Sequence, residues 1–210
     1  MVKISKKKAT FLIILSLVVF VLGAKYFLQL RQKHISAVAL ARTKGSPSAP
    51  IQIIEYIDFQ CPACAVGAKY LGELIQKNPD KIHLEMRYFP LSKVHSHAML
   101  SAMYAQCAAE QNKFWPFHDL LVERQANWKR LADAKPAFEV IAQEVGLNPA
   151  KLGACLASSS TTEKIEQDRQ AGDALGIKST PTYFINGQMV VGSQSLQTEL
   201  QKLLPQGEAH

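Results

Sequence analysis

The sequence lacks the signatures of a non-globular chain. Its 210 residues contain no internal repeat and no low-complexity tract, and charged residues make up 20% against 48% hydrophobic ones. That balance excludes a disordered or collagen-like chain, and four cysteines are too few for a disulfide-dense miniprotein. At roughly 100–200 residues per domain, the length leaves room for one domain plus an appendage.

Acidic residues are missing from the first part of the chain. Residues 1–45 hold nine of the 24 Lys and Arg residues and no Asp or Glu. The other 15 basic residues therefore face all 17 acidic ones, and residues 46–210 carry a net charge of −2. The formal charge of +7 thus belongs to the appendage, so we predict no nucleic-acid partner.

One long hydrophobic run follows four lysines near the N-terminus. Residues 9–24 contain only two polar members. Extended to 9–30, with Lys25 snorkelling toward the headgroups, the run supplies about 33 Å of helix. We predict a cytoplasmic basic tail at 1–8 and a single-pass transmembrane signal-anchor at 9–30, with the N-terminus inside. A cleaved signal peptide has the same pattern and is the alternative.

Both alternatives place the rest of the chain outside the cytoplasm. Residues 31–50 end in a stretch rich in Gly, Ser and Pro, which predicts a linker. The folded body is expected at 51–205.

Hydrophobic patterning predicts an α/β body. Strands at 51–59 and 82–89 flank a first helix, and Asn186-Gly187 predicts a hairpin turn near the other end. Between the second strand and this hairpin, helical periodicity from about 95 to 160 indicates an inserted helical subdomain beside an α/β sheet. The first helix is predicted to end near residue 77. Further helices are predicted at 96–111, 114–126, 136–146, 149–158, 162–175 and 195–204, and further strands at 180–185 and 189–191.

The strongest motif is Cys61-Pro62-Ala63-Cys64, between a predicted strand and a predicted helix. Unpaired N–H groups at a helix N-terminus stabilise a thiolate, and in C-x-x-C proteins the cysteine pKa falls from about 8.5 to as low as about 3.5. Cys61 is then the nucleophile and Cys64 the resolving thiol of a redox disulfide. A structural disulfide is one alternative. A zinc site is the other, but it needs four ligands and no second C-x-x-C exists, so we predict neither metal nor cofactor.

Glu55 lies six residues before Cys61 on an otherwise apolar predicted strand. A buried carboxylate is costly unless it has a partner or a function. We interpret Glu55 as a proton acceptor or relay near Cys64, with its pKa raised by desolvation. A glutamate on the solvent face of the strand is the alternative.

The runs Glu55–Cys64 and Thr180–Phe184, with the helical insertion between them, resemble DsbA-like thiol–disulfide oxidoreductases of the thioredoxin fold over residues 50–204. The resemblance implies that Pro181 is a cis-proline facing the C-x-x-C motif and that Thr180 presents its backbone to substrate. It further implies oxidation of cysteine pairs in exported proteins and a membrane-embedded redox partner that resets the active-site pair. The catalytic domain is then periplasmic, tethered to a bacterial cytoplasmic (inner) membrane.

Ala63 departs from the pattern of the strongly oxidising members, which carry histidine at this position. Alanine supplies no positive charge to the thiolate, so we expect a less extreme reduction potential. A reductase or isomerase with the same active site is therefore the alternative, followed by a non-catalytic tethered binding module. Many isomerases of this fold carry a dimerisation domain that the linker cannot supply, which disfavours an isomerase. We expect a monomer.

The second cysteine pair, Cys107 and Cys155, falls on two of the predicted inserted helices. In an oxidising compartment an even number of cysteines favours pairing, so we predict a structural disulfide. Two buried free thiols are the alternative. We interpret His95, His97 and His118 as packing or surface residues.

Overall fold

The computed structural model describes residues 15–29 and 41–204. Residues 15–29 are helical (α1), and the chain from residue 41 onward forms a compact unit of its own. Among the described residues, no helix is both long and apolar enough to cross a membrane. The predicted tail at 1–8 and both ends of the predicted span at 9–30 lie outside the described residues.

Within residues 41–204 the chain alternates strands with helices in the predicted order. The strands are β1 (Thr43–Gly45), β2 (Ile51–Ile57), β3 (Ile82–Tyr88), β4 (Thr182–Ile185) and β5 (Gln188–Val191). The helices are α2 (Pro62–Lys77), α3 (Ala98–Glu110), α4 (Phe114–Glu123), α5 (Gln125–Trp128), α6 (Lys135–Glu144), α7 (Pro149–Leu156), α8 (Ser159–Ala174) and α9 (Ser193–Leu203). The helix predicted at 114–126 is divided between α4 and α5.

The five strands form one mixed sheet in the order β1-β3-β2-β4-β5. Strand β2 runs parallel to β3, joined to it through α2, and antiparallel to β4. Strands β4 and β5 form the predicted hairpin, whose turn residues Asn186 and Gly187 both have positive φ, as a tight hairpin turn requires. The C-terminal end of β2 therefore lies between two neighbouring strands, and α2 begins there.

Strand β1 lies inside the segment predicted as a linker and pairs antiparallel with β3. The prediction missed it because Thr43–Gly45 is only three residues long and leads directly into the Gly-, Ser- and Pro-rich stretch. Tertiary contacts hold this strand in place. Arg42 forms an ion pair with Asp168 of α8, and Trp115 Nε1 of α4 donates a 2.7 Å hydrogen bond to the first β1 carbonyl. The folded unit thus starts before the predicted residue 51.

The main hydrophobic core lies between the sheet and helices α2 and α9. Ile53 of β2, Leu71 of α2 and Leu200 of α9 belong to it and are almost fully buried. Side chains alternate along a strand, so Glu55 shares the face of Ile53 and points into this same layer. Glu55 is fully buried there, which contradicts the alternative of a solvent-exposed glutamate.

Helices α3 to α7 form the inserted helical subdomain, which has an aromatic core. Trp128 and Phe138 pack edge to face with ring centroids 5.0 Å apart, and both are fully buried. Cys107 of α3 and Cys155 of α7 form a disulfide that joins two of these helices, 48 residues apart in sequence. A short unit with its own core therefore interrupts the sheet between β3 and α8.

Candidate active site

The two cysteines of the C-x-x-C motif lie at the N-terminus of α2. Cys61 is the extended N-cap residue, with φ −71° and ψ 122°, and Pro62 occupies the first helical position, where a missing N–H costs nothing. Both thiols are free. Cys61 is 8% exposed and Cys64 is fully buried, so only the first cysteine reaches the surface.

The loop before β4 meets this helix end. Its Thr180–Pro181 peptide bond is cis, in agreement with the resemblance to the DsbA-like proteins. The Cys61 thiol donates a hydrogen bond to the Thr180 carbonyl oxygen, with Sγ and O 3.3 Å apart. The fold thus brings together two predicted site segments that are 119 residues apart in sequence.

The pKa values of the two thiols are shifted in opposite directions. The Cys64 thiol, which donates to the Cys61 sulfur, lowers the pKa of Cys61 from 9.0 to about 5, aided by backbone N–H groups of Ala63 and Cys64 and opposed by burial. Burial raises the pKa of Cys64 well above its ordinary value, and the neighbouring Cys61 raises it further. One motif therefore holds a thiolate at the surface and a protonated thiol beneath it.

Glu55 lies next to Tyr183, whose hydroxyl interacts electrostatically with Glu55 and with both thiols. The two residues are directly opposite each other on the antiparallel strands β2 and β4. Burial raises the pKa of Glu55 from 4.5 to about 8, and the nearby Tyr183 hydroxyl opposes part of that rise. A carboxyl group with such a pKa holds its proton at neutral pH and can still release it, as a proton relay must.

Asp58 shapes the turn that leads into Cys61, a role that sequence reasoning missed. Its buried carboxylate accepts hydrogen bonds from the backbone N–H groups of Gln60 at 2.8 Å and Leu91 at 2.9 Å. It also lies 2.7 Å from Nδ1 of His95. The backbone N–H of Cys61 donates to the Asp58 carbonyl oxygen at 3.0 Å. An acid directly after an apolar strand was the available signal.

The helical subdomain also holds the active-site turn. The Gln125 side-chain amide donates to the carbonyl oxygens of Phe59 at 2.7 Å and Cys61 at 2.9 Å. The Gln60 side chain accepts a hydrogen bond from the backbone N–H of His97 at 2.6 Å. No sequence signal marks Gln125, because a glutamine 64 residues away is linked to the motif only by the fold.

His118 lies in an aromatic environment beside an acidic residue. His118 Nδ1 lies 2.8 Å from an Asp119 carboxylate oxygen, and its ring packs edge to face against Phe59. Within residues 15–29 and 41–204, no group of three or more His, Cys, Asp or Glu side chains is placed to hold a metal ion.

A C-x-x-C dithiol at a helix N-terminus, in contact with the residue before a cis-proline, defines a thioredoxin-like redox site. The family described as Thioredoxin matches residues 40–205. The chain belongs to the thioredoxin family.

Solved structures share this fold over most of their length. BdbD from Bacillus subtilis in its oxidised form has a TM-score of 0.66 and 20% identity, covering 77% of this chain and 91% of that one. Wolbachia pipientis alpha-DsbA1 has a TM-score of 0.65 and 23% identity, covering 77% and 89%. A thioredoxin-like oxidoreductase from Silicibacter pomeroyi has a TM-score of 0.63 and 23% identity, covering 77% and 90%.

Curated relatives match in sequence as well. Na(+)/H(+) antiporter NhaA 3 of Salinispora tropica is 32% identical over 155 residues, which are 73% of this chain and 23% of the antiporter. Na(+)/H(+) antiporter NhaA of Herminiimonas arsenicoxydans is 30% identical over 155 residues, 74% and 24% of the two chains. The chain spans about a quarter of the length of the curated relatives it matches.

Proposed function

We propose that the protein is a thiol–disulfide oxidoreductase that oxidises cysteine pairs of exported proteins through a Cys61–Cys64 disulfide. The observation that carries the proposal is the contrast between the two thiols. The pKa of Cys61 is lowered to about 5, whereas that of the buried Cys64 is raised. A stable thiolate at Cys61 favours the reduced form of the pair, which makes the oxidised form a stronger oxidant.

The reaction begins with the oxidised pair. A substrate thiolate attacks Cys61 Sγ, a substrate–Cys61 disulfide forms, the Cys61–Cys64 bond breaks, and the electron pair leaves with Cys64 Sγ. Glu55, protonated at neutral pH, supplies the proton that neutralises this buried thiolate. A second substrate thiolate then attacks the substrate sulfur of the mixed disulfide and expels Cys61 as its stable thiolate. The substrate loses two electrons and the protein gains them.

Thr180 and Pro181 are proposed to bind the substrate backbone. Cys61 Sγ lies 3.3 Å from the Thr180 carbonyl oxygen, so a chain linked to that sulfur runs past this loop. An extended peptide there exposes its backbone N–H and carbonyl groups to the loop, as in the addition of a strand to a sheet edge.

Two features of the site bear on whether the protein oxidises or reduces its substrates. A pKa of about 5 for Cys61 favours oxidation of substrates, while Ala63 withholds the charge that a histidine would add. A reductase or isomerase would use the same geometry. In such an enzyme the reduced pair, with its Cys61 thiolate, would be less strongly favoured over the Cys61–Cys64 disulfide. The lowered pKa of Cys61 is what favours the oxidase over these alternatives.

We place the domain outside a bacterial cytoplasmic membrane, tethered by the apolar run at 9–30. A membrane-embedded redox partner would accept the two electrons and restore the Cys61–Cys64 disulfide. The Cys107–Cys155 disulfide supports this location, because such bonds persist in oxidising compartments. The four lysines before the apolar run support the orientation.

The test is oxidation of a reduced, unfolded protein with two cysteines by the stoichiometric oxidised domain. Cys61→Ser should abolish disulfide transfer, whereas the matched variant Cys107→Ala/Cys155→Ala, which removes the other pair, should retain it. Disulfide transfer that survives Cys61→Ser contradicts the proposed function. Loss of transfer only in the Cys107 and Cys155 variant would move the redox centre to the helical subdomain.

A further inference from the structure

Three buried oxygen atoms in the layer between the sheet and α2 lack hydrogen-bond partners. They are both carboxyl oxygens of Glu55 and the hydroxyl oxygen of Tyr183, none of which is bonded within the described part of the chain. Both residues are fully buried. Leaving polar groups unpaired in this way costs free energy, so their position at a reactive site calls for a functional reason.

Two neighbours fix the position of the Tyr183 side chain. Its strand neighbour across β2 and β4 is Glu55. Its hydroxyl also lies against Gly67 of α2, where a Cβ atom would overlap the hydroxyl oxygen. Gly67 follows Cys64 by three residues, about one helical turn. The absent side chain thus leaves room for a hydroxyl between the glutamate and the helix that carries the thiols.

The groups that face Glu55 are few. The strand neighbour on β3 is Met86, which carries no charge, and α9 contributes the apolar Leu196 and Leu200 to this layer. The titratable group beside Glu55 is the Tyr183 hydroxyl from β4, which also interacts electrostatically with the two thiols at the start of α2. A carboxylate formed at Glu55 has Tyr183 as its nearby donor, because a tyrosine hydroxyl can donate and the cysteines are reacting groups.

We propose that Tyr183 is a positioning residue for Glu55, whose hydroxyl donates to the carboxylate whenever Glu55 gives up its proton. This inference rests on the proposed function and deepens it. An unpaired neutral carboxyl group costs less free energy than an unpaired carboxylate, and in the structure the carboxyl oxygens are unpaired. The ionised group needs a donor, and a hydroxyl already beside it can turn to donate without reorganising the core.

The hydroxyl therefore sets the pH range in which Glu55 exchanges protons with Cys64. A hydrogen bond to the charged form of an acid favours that form and lowers its pKa. Without the hydroxyl, the pKa of Glu55 rises above about 8, its value with the hydroxyl present. Fewer Glu55 side chains are then ionised at neutral pH, so fewer can accept the proton of Cys64.

The reaction that reports this step is resolution of a mixed disulfide between Cys61 and glutathione. Cys64 gives its proton to Glu55, its thiolate attacks Cys61 Sγ, the Cys61–glutathione bond breaks, and glutathione leaves as a thiolate that takes a proton from solvent. The rate is followed against pH in rapid-mixing experiments on the reduced protein with oxidised glutathione. Its apparent pKa reports the ionisation of Glu55.

Tyr183→Phe should raise that apparent pKa by about one unit and slow resolution at neutral pH by up to about tenfold, with the rates converging in alkali. Tyr88→Phe, a matched loss of a buried hydroxyl on β3 of the same sheet, should leave the profile unchanged. In a Glu55→Gln background, Tyr183→Phe should have no further effect, because its target is gone. The infrared carboxyl band that Glu55→Gln removes should titrate at higher pH in Tyr183→Phe.

An unchanged profile in Tyr183→Phe overturns the inference, and so does an equal slowing in the presence and absence of the Glu55 carboxyl group. Both results leave the proposed function intact, provided that Cys61 of the wild-type protein still forms and resolves its mixed disulfide. If the wild-type protein does not form it, the proposed function fails, and this inference fails with it. Far-ultraviolet circular dichroism of each variant separates these results from loss of the fold.

Discussion

Removing the Cys64 thiol should raise the pKa of Cys61. That thiol is the largest single cause that lowers the Cys61 pKa from 9.0 to about 5, while burial acts in the opposite direction. Backbone N–H groups at the start of α2 remain in Cys64→Ala and continue to stabilise the thiolate. We therefore expect a Cys61 pKa between the two values, at about 7.

The effect on the thiolate population is large. With a pKa of about 5, roughly 99% of Cys61 is ionised at pH 7, but with a pKa of about 7 only about half is. Thiolate absorbance in the ultraviolet measures this fraction directly as the pH is varied. The rate of alkylation by iodoacetamide gives the same midpoint independently, because the thiolate is the reactive form.

Cys64→Ser is the matched control, because its hydroxyl can still donate to the Cys61 sulfur. We expect its Cys61 pKa to lie below that of Cys64→Ala. If Cys64→Ala titrates at the wild-type pH, the thiol–thiolate hydrogen bond is not the cause. A Cys61 pKa near 9 in the wild-type protein would refute the reasoning altogether.

Two further predictions concern stability. Glu55 has a folded pKa of about 8 against an ordinary 4.5, so its contribution is fully present below pH 4.5 and is lost as the pH rises toward 8. In the oxidised protein, Glu55→Gln should remove a decline of about 4 kcal/mol in the free energy of unfolding across that range, measured in urea, and an unchanged decline would exclude Glu55 as its source. The variant Cys107→Ala/Cys155→Ala should lose up to about 4 kcal/mol of unfolding free energy, by release of a 48-residue loop, while the Cys61 pKa stays the same. A shifted Cys61 pKa would show that the subdomain disulfide acts on the active site.

The elements that a local pattern defines were predictable from the sequence. Strand β2, the dithiol at the start of α2 and the Asn186-Gly187 hairpin each depend on neighbouring residues, and the structure contains all three. Strand β1 was not predictable, since a three-residue strand has no periodicity and depends on contacts with α4 and α8. Local sequence patterns predict strands and helices, but they do not predict the tertiary contacts that stabilise a short strand.

The candidate site divides in the same way. The thiols and Glu55 could be chosen because each residue type is unusual for its position. Gln125 and Tyr183 could not, because a glutamine in a helix and a tyrosine in a strand are ordinary there. Their importance comes from distance in space, through hydrogen bonds to Cys61 and a strand pairing with Glu55 that only the folded chain creates.

The reduction potential of the Cys61–Cys64 pair distinguishes an oxidase from a reductase. A thiolate with a pKa of about 5 favours the reduced form at pH 7 by about two tenfold steps over an unshifted thiol, equivalent to about 60 mV. Equilibration with glutathione buffers of known ratio measures the potential. We expect a value between about −180 and about −120 mV, the range of oxidising members of this fold. A value near −270 mV, roughly that of thioredoxin, would contradict an oxidase and favour a reductase.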